Sequence, residues 1–355
     1  MSLASLARRD LWDECNYQPQ GADQTASLRL NCNENPWPPE NATDPLIHRY
    51  PEKQPAALVE RLAELYGVGS EELLITRGAD DGIDALIRSF CVPARDAIAQ
   101  CSPAFVMYQF FARLQSVRTI DVPLDAAQGF AVPFAKLLEL EDAKLYFLCT
   151  PNNPTGSGVN SQRIVEFANQ VAERALVVVD EAYIEFAETE SLCRQATQVP
   201  NLAVLRTLSK AWSLAGARLG AVVGGRDLIA YLKATTSPYP LSRASVDAAL
   251  QAMDQSNVAI AEQRIATLCE QREDFAKILP AFGFVEKVYP SVANFLLVKV
   301  RDAKTLMQYC KNAGVLLRDQ SAQPGLEQHV RISIGTAADM QRLAQVLASY
   351  EKGAK

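Results

Sequence analysis

The chain has 355 residues, of which 48% are hydrophobic and 21% charged, and its formal net charge is -6. This length allows about two domains with a substantial core, and the composition excludes a disordered or fibrous protein. The acidic balance argues against nucleic acid as the main partner, and the absence of an apolar run of about 18 residues argues against a membrane span.

The first part of the chain alternates between segments of helical periodicity and short apolar runs. Helices are predicted at 56–67, 81–90 and 163–174, and strands at 71–76, 144–150, 175–180 and 202–207. This alternation is typical of βαβ units, in which a largely parallel sheet is covered by helices on both faces.

From about residue 225 the pattern changes to a long helical stretch at 247–279, followed by shorter elements. Strands are predicted at 292–300, 314–319 and 329–335, and helices at 303–312 and from 337 onward. These elements predict a second, smaller α/β domain. We expect a large domain over residues 36–255, and a small domain formed by residues 1–35 together with 256–355.

Histidine and cysteine content narrows the chemistry further. His48 and His329 are the two histidines of the chain, which disfavours a histidine base and histidine-rich metal sites. The eight cysteines form no CxxC pair and are expected to be reduced, and no metal site is predicted. The N-terminus lacks the apolar core of a signal peptide, so a cytoplasmic location is expected.

Polar residues gather where predicted strands end, which is the edge at which open parallel sheets bind ligands. After the strand at 71–76, the backbone N–H groups of Gly78, Ala79 and Asp80 could hold a phosphate at a helix start, although Asp80 and Asp81 could equally just cap that helix. After the strand at 144–150 comes TPNNPTG, whose asparagine amides can donate into a pocket or simply belong to a turn.

Two further strand ends carry charged residues. Asp180 ends the run ALVVVD and is followed by Tyr183; a carboxylate at such a place needs water or a cation nearby, or else is an exposed loop acid. Ser209, Lys210 and Arg218 follow the strand at 202–207. A lysine here is a solvated charge or, with a lowered pKa, a nucleophilic amine.

Taken together, the four strand ends favour one cofactor. They supply an amine for a carbonyl, an acid for a ring cation, an amide and a phenol for a ring oxygen, and two anion sites. This set fits pyridoxal 5'-phosphate better than a nucleotide, and the chain has neither a GxGxxG nor a GxxxxGK[ST] motif.

At these residues the chain resembles the fold-type I pyridoxal-phosphate enzymes and, within them, the class I/II aminotransferases. The patterns NNPTG at 152–156 and SKxxxxxGxRxG at 209–220 are specific to that superfamily. The segments SPYPLS and GVLLRDQ are similar to family members that act on histidinol phosphate. The resemblance implies an α/β fold, with a mostly parallel central sheet flanked by helices in the large domain and a smaller α/β domain beside it.

The resemblance also implies roles for individual residues. Lys210 would bond the cofactor covalently and carry the proton, and Asp180 would hold the ring nitrogen protonated. Asn153 and Tyr183 would bond the ring hydroxyl oxygen. The remaining cofactor contacts implied are the backbone amides of Ala79 and Asp80, the side chains of Ser209 and Arg218 at the phosphate, and Phe105 stacked on the ring where relatives often have tyrosine.

The same resemblance implies a homodimer, in which Tyr50 reaches the phosphate of the neighbouring subunit's cofactor. Substrate would be held by Arg331, Arg318, Tyr17 and Asn153. Because histidinol phosphate carries a phosphate and glutamate carries carboxylates, one site has to accept either anion, which bidentate arginines can do. The alternative for both arginines is a surface ion pair.

The implied activity is transamination between L-histidinol phosphate and 2-oxoglutarate, giving imidazole-acetol phosphate and L-glutamate in L-histidine biosynthesis. An aromatic amino-acid aminotransferase, or a decarboxylase of phosphorylated amino acids, would share the fold and stays open as an alternative. A regulatory protein that senses an amine is a third possibility, but no basic helix-turn-helix segment is fused to the chain.

Overall fold

A computed structural model of the chain describes residues 3–12 and 28–353. A seven-stranded sheet forms the larger layer of the molecule. Its strands are β1 (Leu73–Thr76), β2 (Ala97–Gln100), β3 (Arg118–Asp121), β4 (Ala143–Cys149), β5 (Leu176–Asp180), β6 (Leu202–Thr207) and β7 (Gly220–Gly224). The spatial order is β1-β7-β6-β5-β4-β2-β3, and β7 runs antiparallel to both of its neighbours. The sheet is therefore mostly parallel, as predicted.

Helices cover both faces of this sheet. They are α1 (Arg9–Trp12), α2 (Ala56–Tyr66), α3 (Ala79–Phe90), α4 (Met107–Leu114), α5 (Phe134–Leu138), α6 (Ser161–Gln170), α7 (Cys193–Gln198), α8 (Arg226–Thr235), α9 (Arg243–Ala252) and α10 (Gln255–Ile278). Because both faces are covered, the central strands are apolar throughout rather than alternating, and every residue of β5 and β6 is buried. Their carboxyl ends then open at one edge of the sheet.

A four-stranded antiparallel sheet forms the smaller layer. Its strands are β8 (Val285–Val288), β9 (Phe295–Val300), β10 (Arg318–Asp319) and β11 (His329–Ser333), in the order β10-β11-β9-β8. The helices α11 (Ala303–Asn312) and α12 (Ala337–Gly353) pack with this sheet around a separate apolar core. Phe275 of α10 belongs to that core, so the long helix joins the two layers.

The predicted elements are confirmed in order and type, with two differences. The helical stretch predicted at 247–279 is two helices, because α9 ends before Met253 and α10 begins after Asp254. The strands β2, β3, β7 and β8 and the helices α1, α4, α5, α7 and α8 were not predicted.

The described N-terminal residues contact the larger layer. Leu3 and Leu6 are buried in the core between α3 and α8, and the backbone N–H of Arg8 donates to the carbonyl of Ser89. The predicted division assigns residues 1–35 to the small domain, and the domain boundaries stay a prediction. Within the described ranges, no helix is both long and apolar enough to cross a bilayer.

Candidate active site

One cavity at the carboxyl ends of β4, β5 and β6 brings together most of the predicted site residues. Its volume is about 100 Å³. The predicted residues that line it are Ala79, Asp80, Phe105, Asn153, Asp180, Tyr183, Ser209, Lys210 and Arg218. The parallel order of the strands explains the convergence, since the segments that follow β4, β5 and β6 leave the sheet on the same side.

Asp180 is the buried acid of this cavity and is only 2% exposed. Its Oδ2 accepts a hydrogen bond from the Tyr108 hydroxyl at 2.6 Å, and its Oδ1 accepts one from the backbone N–H of Ala182 at 3.0 Å. Burial raises the pKa of the Asp180 carboxyl, and the two hydrogen bonds oppose that rise. The carboxylate is thus held in one orientation at the end of β5.

Asn153 and Tyr183 lie side by side at the cavity wall. The Asn153 amide nitrogen donates to the Tyr183 hydroxyl at 3.2 Å, and the Asn153 amide oxygen accepts from Arg331. The ring of Tyr183 packs edge-on against Phe295 of β9, at 5.2 Å between ring centroids. Residues from the smaller sheet therefore fix the position of both groups.

Lys210 projects into the cavity from the loop after β6, with its Nζ 5.8 Å from the centre of the Tyr183 ring. Burial of the amine lowers the pKa of Lys210, and the positive charge of Arg331 lowers it further. The carboxylates of Asp80 and Asp180 act in the opposite direction. A lowered pKa favours the neutral, nucleophilic amine.

One end of the cavity, which we call the anion-binding end after its predicted role, is built from Arg218 and the start of α3. Arg218 donates to Ser209 Oγ at 3.3 Å and lies 3.4 Å from Asp80 Oδ2. The first N–H groups of a helix lack partners within the helix, so the start of α3 at Ala79 offers donors beside this guanidinium. The Asp80 carboxylate competes for Arg218, so an anion bound here would share that arginine.

Gly220 lets β7 approach the start of α3 at this end. A Cβ on Gly220 would lie 2.7 Å from the carbonyl carbon of Gly78 and 2.8 Å from the nitrogen of Ala79. Both are backbone atoms that cannot rotate away. The last glycine of the SKxxxxxGxRxG pattern is therefore required by packing, and it places β7 against the anion-binding end.

The remaining predicted residues lie outside the cavity lining. Arg331 donates a hydrogen bond to Asn153, which lines the cavity. The Nε of Arg331 is buried without a hydrogen-bond partner among the described residues. Arg318 is exposed on β10, in register with Arg331. Tyr50 is 46% exposed and stacks on Tyr239 at 4.5 Å between ring centroids. Tyr17 lies outside the described residues.

Four further residues line the site or hold it and were not predicted. Cys149 and Thr207 line the cavity from the ends of β4 and β6, and Ala182 lines it from the segment after β5. Tyr108 is buried one helical turn beyond Phe105 and reaches Asp180 from α4. The spacing of the two aromatic residues in SPAFVMY was the available signal, but it also fits an ordinary apolar helix face.

A buried ion network lies behind the cavity and connects its loops. Arg206 of β6 lies 3.3 Å from Glu181 and 2.6 Å from Glu185, and the Trp212 indole N–H donates to Glu185 at 3.0 Å. Glu181 follows Asp180, Glu185 follows Tyr183 by two residues, and Trp212 follows Lys210 by two. The network lies outside the cavity and thus holds in place the segments that carry Asp180, Tyr183 and Lys210.

The cavity holds an amine, a buried carboxylate, an amide–phenol pair and, beside a helix start, a guanidinium. This set of groups is typical of a cofactor-dependent transferase. The family model described as aminotransferase class I and II matches residues 20–347. The chain therefore belongs to the class I and II aminotransferases, which confirms the predicted fold class.

Within that family, the chain is similar to histidinol-phosphate aminotransferases. It is 40% identical to the enzyme of that name from Xylella fastidiosa (strain 9a5c), over 99% of this chain and 97% of the relative. It is 38% identical to the one from Serratia proteamaculans (strain 568), over 100% and 98%. The crystal structure of the Sinorhizobium meliloti histidinol-phosphate aminotransferase in complex with pyridoxal-5'-phosphate matches with a TM-score of 0.79 at 25% identity, covering 86% of this chain and 84% of that one.

Proposed function

We propose that this chain is a pyridoxal 5'-phosphate-dependent aminotransferase that exchanges an amino group between L-histidinol phosphate and 2-oxoglutarate. The products are imidazole-acetol phosphate and L-glutamate, and the exchange is a step of L-histidine biosynthesis. The observation that carries the proposal is the similarity, over nearly the whole chain, to histidinol-phosphate aminotransferases. The cavity supports it, because nine residues predicted for this chemistry line one space.

The residues present fit the cofactor. Asp180 is a buried carboxylate whose nearest hydrogen bonds, from Tyr108 and Ala182, use only two of its roughly four acceptor positions. Gly78 begins the anion-binding end without a side chain, and a Cβ there would lie 3.0 Å from the Arg218 guanidinium. Pyridoxal phosphate combines a ring nitrogen, a ring hydroxyl, an aldehyde and a phosphate, for each of which the cavity has a partner.

When bound, pyridoxal phosphate supplies a carbonyl that takes the amino group and a ring that withdraws electrons from the substrate carbon. Lys210 would hold the cofactor through its amine, and once released would remove and return the proton at the substrate carbon. The lowered pKa of Lys210 suits that role, since a base must be largely unprotonated to accept a proton.

Asp180 would keep the ring nitrogen protonated by pairing its negative charge with that N–H. The Asn153 amide and the Tyr183 hydroxyl, already 3.2 Å apart, would bond the ring hydroxyl oxygen. Phe105 would stack on the ring. Ser209, Arg218 and the first N–H groups of α3 would hold the phosphate.

Arg331 would bind the anionic group of both substrates, with Arg318 beside it and Tyr17 and Asn153 nearby. Its guanidinium is partly buried, 5.3 Å above the Phe295 ring, and its Nε is free to donate as far as the described residues extend. A planar guanidinium offers two parallel donors to a carboxylate or to a phosphate. One site would thus serve both half-reactions.

We further propose that two copies of the chain form a homodimer, in which Tyr50 completes the partner's site. Tyr50 does not line the cavity of its own chain. Large apolar side chains are exposed in the 28–50 segment and in or beside α4, namely Leu28, Leu30, Trp37, Leu46, Ile47, Val106, Phe110 and Leu114. Where exposed apolar side chains of this kind form a patch, they mark a protein interface.

The division into a large domain at 36–255 and a small domain of 1–35 with 256–355 is retained as a proposal, as is a cytoplasmic location. The seven cysteines of the described ranges are free thiols, which suits a reducing compartment.

A substrate comparison tests the proposed function. Purified holoenzyme receives L-histidinol phosphate or L-phenylalanine with 2-oxoglutarate, and glutamate formation is measured. We expect kcat/KM for histidinol phosphate to exceed that for phenylalanine by at least about tenfold, because a phosphate carries more negative charge toward the Arg331 guanidinium than the single carboxylate of phenylalanine does. A preference for phenylalanine, or release of carbon dioxide from a phosphorylated amino acid without transamination, would refute the assignment.

A further inference from the structure

Tyr108 is a buried tyrosine whose hydroxyl interacts with two side chains of the site, Asp180 and Cys149. It is 1% exposed, and its hydroxyl lies 2.6 Å from Asp180 Oδ2. Its ring stacks on Phe147 at 4.8 Å and meets Phe105 edge-on at 5.7 Å between centroids. The residue therefore contacts both the buried acid and the aromatic side chain at the cavity wall.

The hydrogen bond has a defined direction. Burial raises the pKa of the Tyr108 phenol well above its usual value, and the negative charge of Asp180 raises it further, so the phenol keeps its proton and donates. Burial alone would favour the neutral acid at Asp180. A donor to a buried carboxylate stabilises its charged form and restricts its rotation.

We propose that Tyr108 is a positioning residue of this site, whose hydroxyl holds the Asp180 carboxylate charged and oriented for the cofactor's ring nitrogen. The inference rests on the proposed function, and specifically on Asp180 facing that nitrogen. Tyr108 itself touches neither substrate nor cofactor in this account. Its effect passes through one oxygen of Asp180, while Ala182 fixes the other oxygen.

Tyr146 offers a matched control. It is buried in β4, on the opposite face of the sheet from Phe147, and its hydroxyl donates to the backbone carbonyl of Leu140 at 2.8 Å. Tyr108→Phe and Tyr146→Phe each remove one buried hydroxyl and retain the ring. Only the first removes a hydrogen bond to a site residue.

The experiment measures equilibrium binding to the apoproteins of wild type, Tyr108→Phe and Tyr146→Phe. The probes are pyridoxal 5'-phosphate and its 1-deaza analogue, in which a C–H replaces the ring nitrogen. Because hydrogen bonds to charged groups contribute more than neutral ones, we expect Tyr108→Phe to weaken pyridoxal phosphate binding about tenfold. Binding of the analogue should change less than about threefold, and Tyr146→Phe should change both by less than about threefold.

Three results would overturn the inference: an equal loss for both probes, no loss for pyridoxal phosphate, or failure of Tyr108→Phe alone to fold as judged by thermal unfolding of the apoprotein. No loss for pyridoxal phosphate would mean that the Tyr108 hydroxyl does not affect cofactor binding, and failure to fold would mean that its role is structural. Binding of the two probes to wild type tests the proposed function separately from this inference. If wild type binds both probes equally, Asp180 does not serve the ring nitrogen, and the site assignment itself is wrong.

Discussion

Lys210 differs from the other partly buried lysines of this chain by its surroundings rather than by its pKa alone. Burial also lowers the pKa of the amines of Lys53, Lys144 and Lys233. Of these four, only Lys210 lines the cavity that holds Asp180. A lowered pKa thus makes an amine available, and the neighbouring acid, phenol and guanidinium give that amine its chemistry.

Replacing Lys210 with alanine tests this at the residue scale. We expect turnover to fall by about 10²- to 10⁴-fold, because Lys210 is the amine proposed to carry the proton at the substrate carbon, and the visible absorbance of the bound cofactor to be lost. Lys233→Ala, which removes an amine with a similarly lowered pKa outside the cavity, should retain both properties. Full turnover in Lys210→Ala would be incompatible with the proposed role.

Arg331→Lys tests the anion site. Lysine retains the charge but loses the planar pair of donors, so we expect KM to rise about tenfold or more for histidinol phosphate and for glutamate alike. Steady-state kinetics with each substrate varied in turn gives both values. Arg301→Lys, at an exposed position, should leave them unchanged. A rise for only one substrate would show that the two anions bind at different places.

The sequence was sufficient for the residues that lie in motifs and insufficient for those that act by packing. Asp180, Asn153 and Lys210 follow apolar runs, so their place at the sheet edge could be derived. No motif distinguishes Tyr108, since a tyrosine on an apolar helix face usually belongs to the hydrophobic core. Arg331 was expected near the substrate, but its contact with Asn153 depends on how the second sheet packs on the first.

At the scale of elements, β7 controls the geometry of the anion-binding end. Its first residue, Gly220, lies against the backbone at the start of α3, and its antiparallel course joins β6 to β1. The stretch was not predicted as a strand. It follows a loop whose small residues gave no periodic signal, so its pairing could be seen only in the assembled sheet.

Gly220→Ala is expected to be costly for this reason. The added methyl group would meet backbone atoms at 2.7 Å, so we expect a loss of about 1–3 kcal/mol in unfolding free energy and weaker cofactor binding as α3 shifts. Gly216→Ala provides the control, since no atom lies within 4 Å of the added Cβ, and it should change stability by less than about 0.5 kcal/mol. Chemical denaturation gives the free energy of unfolding of both variants, and equal values would contradict the packing argument.

The strands β2 and β3 were missed for different reasons. β2 reads AIAQ, which is short and lacks the β-branched run of its neighbours, although all four residues are buried. β3 reads RTID and lies at the edge of the sheet, where partial exposure permits a polar sequence. Long apolar strands and periodic helices could be predicted, whereas the short strand β2 and the polar strand β3 depend on the neighbours they pair with.

At the scale of the whole molecule, the structure of one chain does not show whether two copies share residues of their sites. Tyr50 stacks on Tyr239 at an exposed surface, and its predicted target belongs to another subunit. The 28–50 segment and α4 also carry exposed large apolar side chains, which a dimer interface would cover. The dimer stays a proposal.

Subunit mixing tests the shared site. If Tyr50 acts on the partner's cofactor, Tyr50→Ala and Lys210→Ala are each defective alone, but a mixed dimer contains one intact site. Co-refolding equal amounts should restore about a quarter of wild-type activity, since half of the dimers are mixed and each has one of two sites. Activity no greater than the average of the two separate variants would place Tyr50 outside the neighbouring site.

The most direct test of the central claim locates the covalent bond between the chain and its cofactor. Holoenzyme is reduced with borohydride, which fixes the bond between an amine and the cofactor aldehyde, and the labelled peptide is identified by mass spectrometry. We expect the label on Lys210 and none on Lys53, Lys144 or Lys233, whose amines also have lowered pKa values. A label on any other lysine, or no label at all, would contradict it.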